Sequence, residues 1–168
     1  MNRIHICGTY GSGKSTIARK LSELEGLPCY HLDDLKYEVK YSKTRGIEER
    51  ILLLEEICSQ DRWILEGTWT SFAEEAFAKS NIIIHMAFPK LVCSYNVLKR
   101  YFGRQKFEND TFIGAMELIR QIRLYYESDQ EVSFSKHQSL IAKYKKPSVL
   151  IRNKKEIDML TKEMYLYL

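Results

Sequence analysis

The feature that most constrains this chain is a glycine-rich turn near its start, which reads Gly8-Thr9-Tyr10-Gly11-Ser12-Gly13-Lys14-Ser15-Thr16. The turn fits the pattern G-x-x-x-x-G-K-[ST], follows a short apolar run at residues 3–7 and precedes a helical pattern. In such a turn, successive backbone N–H groups point into one concavity, to which the following helix adds its positive end. The sequence therefore predicts a strand–turn–helix unit that binds phosphate groups.

Each residue type in the turn has a chemical reason to be there. Gly8, Gly11 and Gly13 allow unusual backbone angles and a close approach to an anion. Lys14 supplies a positive charge to the outer phosphates, and the Ser15 hydroxyl is placed to bind Mg²⁺. The turn is the Walker A signature, which indicates a purine nucleoside triphosphate bound with Mg²⁺ on residues 8–16. ATP is the preferred nucleotide. The signature alone does not separate kinases from GTPases, ATPases or passive binders.

The order of the remaining segments predicts an α/β fold. Short strands without polar–apolar alternation are separated by helical patterns, which is typical of a parallel sheet covered on both faces. Ligands bind such sheets beyond the carboxyl ends of the strands. The predicted strands are 3–7, 28–32, 62–66, 81–88 and 148–152, and the predicted helices are 15–24, 47–59, 71–80, 90–101, 112–127, 135–145 and 155–167.

Composition favours one globular domain over residues 1–168. The chain is 45% hydrophobic and 29% charged with 8 Gly and 3 Pro, which excludes collagen, Pro/Gly-rich disordered chains and coiled-coil rods. No apolar run approaches the roughly 20 residues of a membrane-spanning helix, and residues 1–8 do not resemble a secretory signal. A cytoplasmic protein with no membrane partner is expected. Its four scattered cysteines predict buried reduced thiols rather than disulfides or zinc.

Positive charge is concentrated in the second half of the chain. Residues 1–84 hold 11 basic and 13 acidic side chains, and residues 85–168 hold 15 and 9, so the halves carry net −2 and +6. A basic half indicates an anionic partner such as phosphate, nucleic acid or a membrane surface, or else a solvated lysine-rich face.

Carboxylates follow two of the predicted strands. Asp33 and Asp34 come after the second strand, and Glu66-Gly67 ends the third. Glu66 is expected to hold magnesium-bound water, with Gly67 leaving room beside it. One Asp could orient magnesium-bound water too, and the other could position the acceptor hydroxyl or accept its proton. Adjacent residues on extended chain point opposite ways, so Asp33 is preferred for the site and Asp34 for the substrate. A plain Asp-Asp turn and a surface glutamate are the alternatives.

A basic segment follows the fourth strand. Lys99, Arg100, Arg104 and Lys106 surround Gly103, and the stretch of about 99–127 is expected to form a lid. Arg100 and Arg104 would neutralise charge during phosphoryl transfer, and Arg120 and Arg123 share a helix face that extends the patch. The alternatives are a solvated surface or nucleic-acid contact. Segment 36–46, with Tyr37, Lys40, Tyr41 and Arg45, is expected to line the acceptor pocket.

Three histidines lie on predicted strands without the spacing of metal ligands. They are His5, His31 and His85. Packed, hydrogen-bonded histidines are therefore preferred to a metal site.

Taken in order, these runs resemble the adenylate-kinase-related proteins often called DNA topology modulation proteins. The runs start at Arg3, His31, Trp63, Phe88 and Leu98. The resemblance implies a nucleoside-monophosphate-kinase type of fold, with a five-stranded parallel sheet in the order 2-3-1-4-5 and an arginine-bearing lid after strand four. The chain departs from that pattern at Glu66 (usually Asp), at Ala87 (often Asp) and at Lys90 (commonly Arg).

Together these features indicate a phosphotransferase that moves the γ-phosphoryl group of Mg-ATP to an unidentified small-molecule acceptor, such as a nucleotide. The alternative is a non-catalytic ATP-binding regulator that touches nucleic acid through its basic half. The sequence does not indicate an oligomeric state.

Overall fold

A five-stranded parallel sheet forms the centre of the fold. The computed structural model describes residues 2–39, 43–103 and 111–166. The sheet contains β1 (Arg3–Gly8), β2 (Cys29–His31), β5 (Trp63–Gly67), β6 (Ile82–Met86) and β7 (Ser148–Ile151), while β3 (Tyr37–Val39) and β4 (Lys43–Thr44) form a separate antiparallel hairpin. The helices are α1 (Lys14–Glu25), α2 (Leu32–Lys36), α3 (Ile47–Ser59), α4 (Glu74–Lys79), α5 (Lys90–Phe102), α6 (Phe112–Glu127), α7 (Phe134–Tyr144) and α8 (Lys154–Leu166).

The α/β class is confirmed, and the strand order is β2-β5-β1-β6-β7. These labels differ from the predicted order because the β3–β4 hairpin, which the sequence analysis did not predict, takes two numbers. Counted among the sheet strands alone, the order reads 2-3-1-4-5. The short helix α2 was also not predicted, since five residues are too few for helical periodicity to show.

Both faces of the sheet are buried, which explains why its strands lack polar–apolar alternation. On one face Ile4, Ile6 and Ile84 pack with α1, α5, α6 and α8. On the other, Trp63 and Leu65 pack with α2, α3 and α4 residues. All four cysteines are free, as predicted, although Cys29 is only half-buried. Within the described ranges no helix has the length and apolarity to cross a membrane.

Three histidines form a buried network, but they are not the three singled out in the sequence. His85 Nε2 lies 2.7 Å from the Tyr125 hydroxyl, and that hydroxyl lies 2.9 Å from His137 Nδ1. Gln138 Nε2 is 2.7 Å from His85 Nδ1, so Nδ1 accepts and Nε2 carries the hydrogen. His5 stacks edge-on against Phe77 nearby. His31 lies elsewhere, at Glu66.

Acidification is expected to destabilise the fold through this network. Burial lowers the pKa of His5 and of His85 to about 4, and burial with the nearby charges lowers the pKa of His137 well below 6.5. The unfolded chain therefore binds more protons than the folded one, and stability falls as the pH drops from about 6.5 towards 4. Urea unfolding at pH 8 and pH 5 should differ by at least about 2 kcal/mol, since one pKa unit is worth about 1.4 kcal/mol per group. Equal free energies of unfolding at the two pH values would contradict this assignment.

Candidate functional site

A cavity of about 1090 Å³ opens beyond the carboxyl ends of β1 and β5, where the sequence analysis placed the ligand. The Walker turn from Tyr10 to Thr16 lines one side of it. Asp33, Glu66 and Trp69 line a second side, and residues of α1, α5, α6, α8 and the loop at 130–132 also border the cavity.

The turn is held in place by close packing against α5. Gly11 has φ +68°, and a Cβ there would lie 2.4 Å from the carbonyl oxygen of Cys93. The Asn96 side-chain amide donates a hydrogen bond of 2.8 Å to the Gly11 carbonyl. The turn therefore needs glycine at position 11 both for its backbone angle and for the approach of the helix.

Lys14 lies buried at the floor of the cavity. Its ammonium group donates a 2.8 Å hydrogen bond to the carbonyl oxygen of Thr9 within the same turn. Burial lowers the pKa of Lys14, and the negative charges of Glu66 and Asp33 oppose this. The charge is thus poorly solvated by the protein alone, and an anion in the cavity would stabilise it.

Glu66 is the best-connected acidic side chain of the site. The Ser15 hydroxyl donates to its Oε1 at 2.7 Å, and His31 Nδ1 lies 2.6 Å from the same oxygen. Burial alone would raise the pKa of Glu66, but the His31 hydrogen bond, the Lys14 charge and the Ser15 hydrogen bond hold it below its usual value. Glu66 is therefore a carboxylate at neutral pH.

The donor atoms here fit a small, hard cation. Ser15 and Glu66 offer oxygens 2.7 Å apart, and Asp33 borders the same cavity. The described residues contain no cluster of three His, Cys, Asp or Glu suited to a metal. The oxygens of Ser15, Glu66 and Asp33 fit Mg²⁺, which is commonly held by one or two carboxylates together with waters and substrate phosphates.

Asp33 and Asp34 differ sharply in position. Both lie in the first turn of α2 rather than on extended chain, so they diverge by helical rotation and not by strand alternation. Asp33 lines the cavity, where its Oδ1 accepts a 2.7 Å hydrogen bond from the Trp69 indole. Asp34 is exposed and outside the cavity lining. The expectation that Asp34 binds substrate does not fit this geometry.

Gly67, which was predicted to leave room beside Glu66, leaves room for Leu32. A Cβ at position 67 would lie 2.5 Å from the Cβ of Leu32, the first residue of α2. The glycine therefore lets α2, and with it Asp33, pack closely against the end of β5.

Replacing Gly67 by Ala is expected to destabilise the protein by about 1–3 kcal/mol, the usual cost of overpacking. The measurement is the free energy of urea unfolding of Gly67→Ala, compared with that of Gly46→Ala. A Cβ at position 46 would meet nothing within 4 Å. Gly46→Ala should cost less than about 1 kcal/mol, the scale of an altered helix cap. Equal effects at the two positions would show that the Leu32 contact does not matter.

The predicted basic cover is only partly assembled around the cavity. Arg100 borders it, while Arg104 lies outside the described residues. Arg120 pairs with Glu117 at 2.9 Å and Arg123 with Glu127 at 2.7 Å. The guanidinium groups of Arg120 and Arg123 are exposed on α6 and absent from the cavity lining, although Glu117, the partner of Arg120, borders the cavity, so their role in substrate binding stays a prediction. Their helix face points outward because Ala115, Ile122 and Tyr125 occupy the inward one.

Arg45 makes local structural contacts, and its predicted substrate contact stays a prediction. Its Nη1 donates to the carbonyl oxygens of Asp34 and Tyr37 at 2.7 and 2.5 Å, and its Nε pairs with Glu49 at 2.9 Å. Arg45 thus ties the β3–β4 hairpin to α2 and lies outside the cavity lining. Tyr37 does border the cavity, whereas the predicted Lys40 and Tyr41 fall outside the described residues.

Several lining residues were missed by the sequence analysis. Trp69 follows Glu66 by three residues, and Lys36 Nζ lies 3.0 Å from the centroid of its ring. Burial, and then the Arg50 charge, lower the pKa of Lys36 to about 8. Trp69 follows β5 and Lys154 follows β7, at the carboxyl edge of the sheet. Their positions just after predicted strands could have identified both as candidate site residues. The other missed lining residues include Arg19, Lys20, Asn96, Gln121, Glu131 and Asp158.

Comparison with known proteins identifies the fold. No family model matches the chain. The shikimate kinase of Acinetobacter baumannii, solved with shikimate, superposes with a TM-score of 0.58 over 99% of this chain and 93% of that one, at 16% identity. The shikimate kinase of Bacteroides thetaiotaomicron gives 0.58 over 99% of both chains, at 15% identity. The chain has the fold of these P-loop kinases.

Two proteins without an assigned activity are also similar. An uncharacterized protein of Eubacterium ventriosum ATCC 27560 superposes with a TM-score of 0.55 over 97% of this chain and 98% of that one, at 16% identity. The uncharacterized protein YqaC of Bacillus subtilis (strain 168) is 30% identical over 115 residues, which are 67% of this chain and 62% of YqaC. The match thus spans less than two thirds of that relative.

Proposed function

We propose that the protein is an ATP-dependent phosphotransferase that moves the γ-phosphoryl group of Mg-ATP to a small-molecule acceptor. The observation that carries this proposal is the convergence of Lys14, the Ser15–Glu66 pair and Asp33 on one cavity. The shikimate kinase fold supports a kinase rather than a GTPase or a motor ATPase.

ATP is assigned to the Walker turn, residues 8–16. Backbone N–H groups and Lys14 would bind the phosphates, and Ser15 and Glu66 would hold Mg²⁺ and its waters. Bound Mg²⁺ would neutralise charge on the phosphates. Arg100 borders the same space and would stabilise charge on the transferring group, a role for which Arg104 is a second candidate.

The acceptor is assigned to the side of the cavity near α2. Asp33, Tyr37 and Trp69 line this side. Asp33 would accept the proton of the attacking hydroxyl, and the aromatic rings would orient the acceptor next to it. Catalysis then consists of positioning and charge neutralisation, with little covalent work for the protein.

A nucleic-acid-binding regulator is not favoured. Three of the basic residues in the half of the chain that motivated it, Lys90, Arg120 and Arg123, pair with Glu127 or Glu117. The finer resemblance to the DNA topology modulation group stays a hypothesis from the sequence.

The test is a panel of acceptors incubated with Mg-ATP and followed by ³¹P NMR. It should contain nucleosides, nucleoside monophosphates, sugars, amino sugars and hydroxy acids, shikimate included. We expect a new signal with at least one class, a phosphoester from a hydroxyl acceptor or a phosphoanhydride from a nucleoside monophosphate, and this signal should be lost when EDTA replaces Mg²⁺. ATP binding without any transfer across the panel would contradict the proposal.

A further inference from the structure

His31 and Glu66 are neighbours by the register of the sheet. β2 and β5 run parallel, and His31 is paired directly with Glu66 at the ends of the two strands. Side chains at paired positions of adjacent strands project from the same face. The contact of His31 Nδ1 with Glu66 Oε1 at 2.6 Å therefore follows from backbone pairing.

The two oxygens of Glu66 are used differently. Oε1 accepts from both the Ser15 hydroxyl and His31 Nδ1, while Oε2 accepts no hydrogen bond from the residues that the structure describes. The Ser15 oxygen can bind a cation through a lone pair while its hydroxyl hydrogen still donates to Glu66 Oε1. Oε2 is then the oxygen of Glu66 available to a metal-bound water.

Resting on the function proposed above, we propose that His31 is a positioning residue that orients Glu66 for Mg²⁺. A glutamate has one more rotatable bond than an aspartate and loses more side-chain freedom when it is fixed. The Nδ1–H donor of His31 fixes Oε1 and so directs Oε2 towards the metal-bound water. Partners of this kind orient metal-binding carboxylates in many proteins, and their loss costs 10–100-fold in metal affinity.

The position of His31 is not explained by a packing role in the core. Its side chain is 38% exposed, whereas that of Glu66 is 8% exposed. A half-exposed imidazole contributes little to the core, so a side chain of similar size without the donor should leave the fold intact. The change removes the donor to Glu66, and we expect the carboxylate to lose its orientation.

The matched pair of variants is His31→Leu and His31→Asn. Leu removes the donor, while the Asn amide nitrogen occupies nearly the same place as Nδ1 and keeps it. EPR would measure the affinity for Mn²⁺ of the protein bound to a non-hydrolysable ATP analogue. The affinity of the protein for the analogue would be measured separately in EDTA. We expect His31→Leu to weaken Mn²⁺ about tenfold, with binding in EDTA changed less than twofold, and His31→Asn to stay within threefold of wild type.

Two outcomes would overturn the inference. One is Mn²⁺ affinity of His31→Leu within twofold of wild type, and the other is an equal loss in EDTA, which a merely structural role would give. If His31→Leu does not fold, long-range ¹H–¹⁵N spectra of the wild-type protein decide the matter, because the inference requires a proton on Nδ1. If wild type binds the analogue but shows no Mn²⁺ site, the proposed function fails rather than the role of His31.

Discussion

Replacing Lys14 by Met is expected to lower phosphoryl transfer by roughly 10²–10³-fold, the usual cost of removing one group that stabilises transition-state charge. Lys14 is the buried cation at the floor of the cavity, and its charge is opposed by burial. Methionine has a similar length and no charge, so the variant should unfold at the same urea concentration as wild type or a higher one. The measurement is single-turnover transfer with saturating acceptor, together with urea unfolding.

Lys79→Met is the matched control, since Lys79 is an exposed residue of α4 with a loose pair to Glu75 at 3.8 Å. It should transfer at the wild-type rate. If Lys14→Met transferred at the wild-type rate as well, the Walker turn would not be the phosphate site.

Replacing Asp33 by Asn is expected to lower transfer by roughly 10²–10⁴-fold, the range for loss of a general base. Asparagine keeps an oxygen that can accept from the Trp69 indole, so the 2.7 Å hydrogen bond survives the change. The loss should appear in the rate of the chemical step, with ATP affinity changed little. Rapid-quench kinetics separate the two.

The neighbouring Asp34→Asn is the control for Asp33. Both residues lie in the first turn of α2, but only Asp33 borders the cavity. Asp34→Asn should leave the rate within about twofold of wild type, because exposed polar substitutions rarely matter. A larger loss at Asp34 than at Asp33 would reverse the assignment.

Much of the architecture was predictable because its signals are local. The helices 47–59 and 112–127 have the predicted bounds, and the strand at Ile82–Met86 lies within the predicted run. Apolar periodicity suffices for the two helices, and the apolar run followed by Pro89 suffices for the strand. The small α2 and the β3–β4 hairpin escaped because their lengths, five, three and two residues, are below what periodicity can show.

Side-chain pairing could not be predicted in the same way. Arg45, Arg120 and Arg123 looked free to bind a substrate in the sequence, yet carbonyl groups and glutamates close to each of them bind its guanidinium. The contact of His31 with Glu66 joins residues 35 positions apart, and it became visible only through the register of β2 on β5. Charge counts locate a basic region but do not show which of its charges are already paired.

The central claim is transfer of the γ-phosphoryl group, and its most direct measurement is the fate of γ-³²P from Mg-ATP. In a single turnover with the pooled acceptor panel, we predict that most of the label enters a phosphorylated acceptor with wild-type protein and that little does with Lys14→Met. Label released only as orthophosphate, at the same rate with and without acceptors, would identify a hydrolase and contradict the account.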